Sequence, residues 1–362
     1  LGDVYKRQVP HSEGKTNLQV NVPENGKCYL KLTYHLKKEM PLLEEDYILG
    51  FDEIEVSQKD AKCQLAEKWV EKTVTDSELQ VSEDDTQIHI KGREFAYTID
   101  KRTALFTEMK FAGREYLNHP MELNIWRAPT DNDMYIKSEW KKAHYDKAYT
   151  RAYTTEVVQG KHGVKITSHA SVVAETVQKI LDVTITWKIE AAGKIDADIA
   201  VTKDDEFPDL PRFGVRMFLD KKLSAARYFG MGPQESYCDK HQAASHGLYQ
   251  ANVDDLHEDY IRPQENGSHY DCEYVELNNS RYGIVASAEK AFSFNASYYT
   301  QEELEKKTHN YELTESDSVV FCVDYALNGI GSNSCGPVVL EQYRFDDVLF
   351  RFQFTLIPYV KG

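Results

Sequence analysis

The feature that most constrains this fold is an alternation of apolar and polar residues with a period of two. The alternation runs through residues 183–189, resumes at 195–201 after a short Ala-Ala-Gly turn, and recurs at 88–99 and 348–356. Successive side chains of a strand point to opposite faces, so this period predicts strands that bury one face and expose the other. We therefore predict an antiparallel hairpin across 183–201 and an all-β fold.

Helical signals, in contrast, are few. Thr300 followed by Glu303 predicts a capping box that opens a short helix through about Lys307, because each of the two side chains can bond the other's backbone N–H. Residues 138–149 are charged and aromatic without a helical period. We predict a loop with a helical turn for that segment.

Composition along the chain predicts a short N-terminal stretch that is not native, followed by three segments. Residues 1–8 (LGDVYKRQ) resemble read-through of a sequencing adapter, and we interpret them as not native. Residues 9–60 contain two or three strand-like runs, which are too few for a complete sandwich domain, and residues 61–79 are charged and predict a linker. The β pattern of residues 80–362 continues without an obvious break. We interpret the chain as the C-terminal piece of a longer one.

The charge balance narrows the possible partners. The chain has 43 Lys and Arg against 59 Asp and Glu, a formal net charge of −16. This acidity argues against a nucleic-acid backbone or an anionic membrane as partner. No apolar run approaches the ~20 residues of a membrane span, and no Walker A, HExxH or GxSxG motif is present. We expect neither nucleic acid nor membrane among its partners.

Six cysteines, none in a CxxC motif, indicate a reduced, cytoplasmic setting rather than a disulfide framework. Cys238 and His241 are three residues apart, as are His269 and Cys272, and together these four side chains could bind Zn²⁺ tetrahedrally. The alternative is two independent loops whose small thiols pack inside. We favour that alternative and predict no metal ligand, because structural zinc sites prefer tighter Cys-rich knuckles.

Four polar loops rich in Gly and Pro are the candidate sites for chemistry, since binding residues usually lie on loops of a rigid scaffold. They span residues 126–133, 230–237, 263–267 and 329–337. Two of them carry Glu235 and Glu265, each next to Pro-Gln, and a pair of carboxylates is what glycoside hydrolysis needs. The alternative, which the residues alone favour, is that these carboxylates, like Asp131 and Asp133, accept backbone N–H bonds and hold their loops.

Taken in order, these loops resemble the C-terminal domain of the long β-galactosidases of glycoside hydrolase family 2. The matching stretches are 127–133 (RAPTDND), 230–237 (GMGPQESY) with Asp239 and 242–244, 260–267 (YIRPQENG), and 329–337. The resemblance covers about residues 80–362 and, more weakly, 9–57, where GFDEI at 50–54 is similar to the end of an immunoglobulin-like domain. It implies a large antiparallel β-sandwich of the supersandwich, galactose-mutarotase-like kind, preceded by a truncated immunoglobulin-like β domain.

The resemblance also implies a function. Members of the family hydrolyse terminal non-reducing β-D-galactose residues, as in lactose, by a retaining mechanism, and their catalytic carboxylates belong to a barrel upstream of this sequence. No catalytic residue is therefore expected in this fragment, which is predicted to be inactive alone and to supply a wall of the pocket. Mg²⁺ and Na⁺ are expected in the parent enzyme, with no cofactor bound by this fragment. The expected partners are the β-galactoside, the missing N-terminal domains and further copies in a homo-oligomer.

One substrate contact is carried over from the family. After the Gly-Ile-Gly turn some members place a Trp that stacks under the sugar, and Cys335 stands at that position here. A thiol implies a small, soft contact without stacking. By the same resemblance Asp131, Asn132, Asp133 and Ser334 lie close to the pocket. Two alternatives stay open: a stand-alone carbohydrate-binding module, and a structural small subunit of a two-chain β-galactosidase.

Overall fold

The computed structural model describes residues 14–15, 17–22, 26–59, 79–331, 333 and 335–361. The chain divides into two compact units, Leu1–Lys62 and Cys63–Gly362. Residues 1–8, interpreted as not native, and the predicted linker up to residue 78 lie outside the described residues.

Strands make up most of the regular structure of the described residues. They are β1 (Gly26–His35), β2 (Ile48–Lys59), β3 (Gln80–Glu83), β4 (Gln87–Lys91), β5 (Phe95–Asp100), β6 (Leu105–Phe111), β7 (Arg114–Glu115), β8 (Leu117–Asn124), β9 (Tyr149–Gln159), β10 (Gly163–Val173), β11 (Leu181–Glu190), β12 (Ile195–Lys203), β13 (Arg212–Asp220), β14 (Ala225–Gly232), β15 (Ser245–Asn252), β16 (Ser268–Asn278), β17 (Tyr282–Ser297), β18 (Ser318–Leu327) and β19 (Leu349–Val360).

The described helices are short. They are α1 (Ile136–Lys142) and α2 (Gln301–Lys306), with single 3-10 turns at Asp131–Asp133, Tyr145–Lys147, Asp254–Leu256, Asn310–Glu312 and Glu341–Tyr343. None of the described helices is long and apolar enough to cross a membrane.

In the first unit, β1 and β2 pair as an antiparallel hairpin, with Thr33 opposite Phe51. Side chains also contact one another across the pair. The Tyr34 hydroxyl donates to the Asp52 carboxylate, and the Lys31 ammonium lies 4.3 Å from the centroid of the Phe51 ring. Side chains of β1 are half-buried or exposed, so the described part of this unit is a sheet of two strands with little core of its own.

The second unit contains two antiparallel sheets. One has five strands in the order β3-β4-β5-β6-β7. The other has twelve strands, and its main path runs β15-β14-β16-β17-β19-β12-β11-β10-β9, while a branch leaves β17 through β18 and β13 to β8. The predicted hairpin is confirmed as β11 and β12, which pair in register from Leu181–Lys203 to Ile189–Ile195.

Aromatic side chains join the two sheets of the second unit. Trp187 on β11 is fully buried and meets Phe106 of β6 edge to face, with 4.9 Å between the ring centroids. The Trp187 ring also meets Phe354 of β19, with 6.3 Å between the ring centroids. The indole N–H donates to the Ala104 carbonyl at 2.8 Å. The five-stranded sheet therefore packs on the large sheet as two layers of a sandwich, and the prediction of an all-β antiparallel fold is confirmed.

The segment after the first polar loop differs from its prediction. A loop with a helical turn was expected for 138–149, but α1 occupies Ile136–Lys142. Trp140 is its one buried side chain, and its indole N–H donates to the Asp209 carbonyl at 2.8 Å. A two-turn helix anchored by a single side chain has no apolar period for sequence reasoning to detect.

The capping box predicted for α2 is confirmed in one of its halves. The Thr300 hydroxyl accepts the Glu303 N–H at 3.1 Å. The Glu303 carboxylate accepts the Thr314 N–H at 2.9 Å instead of turning back to Thr300. The helix ends at Lys306, one residue earlier than expected.

Candidate functional site

The four polar loops contact one another in the structure. With the flanking residues that also make contacts between loops, we name them loop A (126–133), loop B (230–239), loop C (260–267) and loop D (328–337). Hydrogen bonds join A to D through Arg127 and Gly329, A to C through Asp131 and Gln264, C to B through Gly267 and Glu235, and B to D through Asp239 and Gly331. The four loops therefore form one cluster, which is our candidate site.

The centre of this loop cluster is a buried ion pair within loop A. The Arg127 guanidinium donates to the Asp133 carboxylate through Nη2 at 2.7 Å and through Nε at 3.2 Å. Arg127 is fully buried, the Asp133 side chain is 5% exposed, and the Thr130 N–H also donates to that carboxylate at 2.9 Å. The guanidinium lies 5.2 Å from the ring centroid of Trp140. A bidentate pair with this many partners fixes the conformation of loop A.

The same side chains hold the backbone of loop D. Arg127 donates through Nη1 to the Asn328 carbonyl and through Nη2 to the Gly329 carbonyl at 3.1 Å. Asn132 donates through Nδ2 to the Ile330 carbonyl at 2.6 Å. Loop A thus binds three consecutive carbonyl groups at the start of loop D.

Asp239 of loop B binds the N–H side of that turn. Its carboxylate accepts the Ile330 N–H at 3.0 Å and the Gly331 N–H at 2.8 Å. A Cβ atom at Gly329 would lie 2.6 Å from Asp239 Oδ2 and 2.9 Å from Val339 Cγ1, so the position has no room for a side chain. The Gly-Ile-Gly turn is therefore fixed from both sides.

A cavity of about 560 Å³ lies beside this turn. Its lining includes the polar side chains of Asn132, Asp133, Asn328 and Asn333 and the apolar side chains of Met134, Tyr135, Val338 and Val339. A volume of this size suits a small-molecule ligand. The mixture of amide and carboxylate groups with apolar surface can hydrogen-bond hydroxyl groups and cover the apolar face of a sugar ring.

The residues predicted near a pocket are distributed unevenly around this cavity. Asn132 and Asp133 line it, whereas Asp131 faces loop C, where its N–H donates to Gln264 Oε1 at 2.9 Å. Ser334 lies outside the described residues. Cys335 is exposed on loop D and does not belong to the cavity lining, so substrate contact by Cys335 stays a prediction.

Glu235 holds loop C. Its Oε1 accepts from the Lys240 ammonium and from the Tyr260 hydroxyl, and its Oε2 accepts the Gly267 N–H at 2.8 Å. Gly267 has a φ of 70°, and a Cβ atom there would lie 2.4 Å from the Leu256 carbonyl oxygen, so this carboxylate binds a backbone turn that requires glycine. Glu235 borders an open cavity of about 440 Å³. Glu235 therefore has the structural role that the sequence analysis favoured, in which the carboxylate accepts a backbone N–H and holds a loop.

Glu265 lies beneath the surface in a second ionic cluster. It shares the fully buried Arg212 with Asp324: the guanidinium is 3.3 Å from Glu265 Oε2 and 2.6 Å from Asp324 Oδ2. Burial raises the pKa of both carboxyl groups. Within the described chain, Glu265 Oε1 has no hydrogen-bond partner. Since Glu265 is enclosed and Glu235 is bound to Lys240, the two do not form an open carboxylate pair for glycoside hydrolysis.

The four side chains weighed as a zinc site have separate roles. The Cys238 thiol donates to the Leu327 carbonyl at 3.7 Å and the Cys272 thiol to the His269 carbonyl at 3.5 Å, while His241 contacts its own turn. Burial raises the pKa of Cys238 to about 12 and lowers that of His269 to about 4. In the part of the chain that the structure describes, no three His, Cys, Asp or Glu side chains are grouped to hold a metal ion.

Sequence analysis did not identify Arg212, Asp324 or Trp140. Arg212 and Asp324 are 112 residues apart, and no local pattern connects such positions. A signal was nevertheless present for the two charged residues, because Asp324 stands in the apolar run VFCVDY of β18 and Arg212 begins the largely apolar run RFGVRMF of β13. Charges in such runs predict buried ion pairs, although not which residues are partnered.

Sequence comparison places the chain in a family. The profile of the family described as "Beta galactosidase small chain" matches residues 91–356, which is more than half of the sequence. The chain belongs to this family.

The curated relatives are named β-galactosidase and are longer than this chain. The chain is 42% identical to the β-galactosidase of Actinobacillus pleuropneumoniae over 350 residues, 96% of this chain and 34% of that protein. It is 32% identical to the β-galactosidase of Staphylococcus xylosus over 351 residues, which are again 96% of this chain and 34% of that protein. The chain thus spans about a third of the length of these relatives. A galactose 1-epimerase from Lactobacillus acidophilus NCFM aligns with a TM-score of 0.42 at 8% identity, over 80% of this chain and 100% of that one.

Proposed function

We propose that this chain is the C-terminal part of a retaining β-galactosidase that removes terminal non-reducing β-D-galactose from lactose-type substrates. Its family membership supports this, as do relatives named β-galactosidase of which it covers about a third. The catalytic carboxylates would belong to the part of the enzyme that this chain does not span. The bound state of Glu235 and Glu265 is consistent with that assignment.

The contribution of this chain is a wall of the sugar pocket. The observation that carries this proposal is a set of hydrogen bonds beside the cavity of about 560 Å³. In it, Arg127 and Asn132 donate to three consecutive carbonyl groups of loop D. A turn fixed from both sides can present a substrate contact in a constant position, and such positioning is what catalysis demands of binding groups. Cys335, five residues after Ile330, is proposed as that contact.

The parent enzyme is further proposed to be a cytoplasmic homo-oligomer that uses Mg²⁺ and Na⁺. These ions are proposed from the resemblance to the long β-galactosidases, whose barrel and neighbouring domains hold them. A second arrangement, a separate small chain associating with a large one, is favoured by the description of the matched family.

Reconstitution tests these proposals. The matching third of the Actinobacillus pleuropneumoniae β-galactosidase is deleted, and this chain is supplied either fused to the remainder or mixed with it. We expect no hydrolysis of a chromogenic β-galactoside by either part alone and turnover by the fusion. Turnover by the mixture would establish the two-chain arrangement. Turnover by this chain alone, or a folded fusion without activity, would contradict the proposal.

A further inference from the structure

The long strand β17 changes its partner halfway along. Residues Tyr282–Ser287 pair with β19, and residues Ser293–Ser297 pair with β18. Residues 288–292 between these stretches pair with neither strand, so β18 and β19 diverge on that side of β17. The large sheet is therefore split at this point, although β16 runs along the other side of both halves.

A cavity of about 720 Å³ lies in this split. Residues 289–293 of β17, 325–327 of β18 and 351–353 of β19 all line it, together with residues 342–345 that precede β19. We call it the split-sheet cavity. Its volume lies within the range of small-molecule sites, and the three strands that enclose it are fixed by ladders on their outer sides.

Two of the tyrosines that line the split-sheet cavity have hydroxyl groups available for hydrogen bonds. Tyr270 and Tyr325 both line it, and among the described residues neither hydroxyl has a hydrogen-bond partner. Neither oxygen is sealed from solvent, unlike that of Tyr274. The Tyr325 ring is stacked on Phe350 with 4.8 Å between the centroids, so its position is fixed while its hydroxyl is available to a ligand.

Charges around the split-sheet cavity are balanced. Its charged lining residues are Asp271, Glu289 and Asp347 against Lys290, Arg344 and Arg351. Of these residues Arg351 already pairs with Asp198, and Asp271 pairs with His246. A nucleotide or phosphate ligand would meet carboxylates as well as cations here, whereas a neutral ligand can use both donors and acceptors.

We propose that the split-sheet cavity binds a neutral saccharide of one or two rings. Hydroxyl groups of a sugar are both donors and acceptors, so they match the Tyr270 and Tyr325 hydroxyls, the Asp347 carboxylate and the Lys290 ammonium together. The apolar face of a sugar ring matches the half-buried aromatic rings of Tyr270 and Tyr343 in the lining. The proposal concerns binding by this chain itself and does not depend on its being part of a β-galactosidase.

Titration of the full chain with lactose and with galactose tests this site. Calorimetry measures the dissociation constant, and saturation-transfer NMR reports sugar protons that contact the protein. The diagnostic variant is Tyr325→Phe, which removes the hydroxyl and retains the stacked ring. We expect it to weaken binding about fivefold, the effect of one lost hydrogen bond. Tyr311→Phe, at a residue 80% exposed and outside the lining, is the matched control and is expected to bind as the parent does.

A second variant keeps the test independent of Tyr325. Asp347→Asn changes an exposed carboxylate that has no hydrogen-bond partner in the described chain, so folding is expected to be unaffected, and sugar binding should again weaken. Absence of binding up to the solubility limit of lactose would overturn the proposal. So would binding that both variants leave unchanged, or displacement of the sugar by inorganic phosphate.

Discussion

At the scale of single residues, the candidate site depends on charges that are buried but paired. Arg127 has one carboxylate partner, whereas Arg212 has two, Asp324 and Glu265. A buried pair of opposite charges is tolerated because Coulomb attraction and hydrogen bonds offset the lost hydration. One extra buried carboxylate is not offset in this way, and it is expected to retain its proton.

Removal of the Asp133 carboxylate tests the first of these clusters. Asp133→Ala leaves the Arg127 guanidinium buried without a counter-charge, and we expect the free energy of unfolding to fall by about 3–5 kcal/mol. Urea denaturation followed by tryptophan fluorescence measures the change. Asp131→Ala is the matched control: its side chain is 66% exposed, and its loss should cost about 0–1 kcal/mol. Equal losses in the two variants would contradict the assignment.

Titration of Glu265 makes stability depend on pH. Because burial raises its pKa above the ordinary 4.5, the folded chain holds this proton more tightly than the unfolded chain does. The stabilisation is complete below pH 4.5 and is lost as pH rises through the raised pKa. Glu265→Gln retains the Arg212–Asp324 pair, so its unfolding free energy should decline less over that window.

The pH series has an exposed control. Glu156→Gln, on β9, changes a carboxyl that is in contact with solvent. Chemical denaturation at several pH values should give this variant the slope of the unmodified chain. If Glu265→Gln also retains that slope, the buried carboxyl is not the source of the dependence.

At the scale of elements, sequence predicted the strands better than it predicted how the loops meet. Alternation with a period of two is a local property, which is why β11 and β12 could be placed from residues 183–201 alone. Loop A reaches loop D through bonds between residues 198 to 202 positions apart, and no local pattern specifies such contacts. The partners of Arg127 in loop D were unpredictable for this reason, and α1 was unpredictable because its sequence lacks a helical period.

The Gly-Ile-Gly turn of loop D gives a prediction at this scale. In Gly329→Ala the new methyl group meets Asp239 Oδ2 at 2.6 Å, which displaces the turn and any substrate contact that it positions. In the reconstituted enzyme we expect kcat/KM for a chromogenic galactoside to fall on the order of tenfold. Gly160→Ala, on the turn between β9 and β10 where the nearest atom to a Cβ is the Gly163 carbonyl oxygen at 3.5 Å, should retain the activity. Similar activities for both variants would show that the Gly-Ile-Gly turn does not position substrate.

At the scale of the second unit as a whole, one buried indole contacts both sheets. Trp187 contacts the five-stranded sheet at Phe106 and the large sheet at Phe354, so its packing belongs to both layers. Because one continuous core connects the two sheets, we expect the sandwich to unfold as one cooperative structure. A cavity at its centre is expected to weaken both layers at once.

Truncation of Trp187 measures that coupling. Trp187→Ala is expected to lower the free energy of unfolding by about 3–5 kcal/mol, the usual cost of a large cavity. Tyr153→Ala on β9, where the side chain is 57% exposed, should change it by less than about 0.5 kcal/mol. Urea denaturation monitored by circular dichroism gives both values. Loss of one sheet in a separate, earlier transition would argue against a single cooperative sandwich.

The order of strands has a consequence for biosynthesis. β19 follows every other described strand along the chain, yet it lies between β17 and β12 in the interior of the large sheet. As the polypeptide leaves the ribosome, the facing edges of those two neighbours stay bare until residues Leu349–Val360 emerge. Bare edges invite pairing with other chains. A nonsense mutation before Leu349 should therefore produce aggregated or chaperone-bound protein rather than a slightly shorter sandwich.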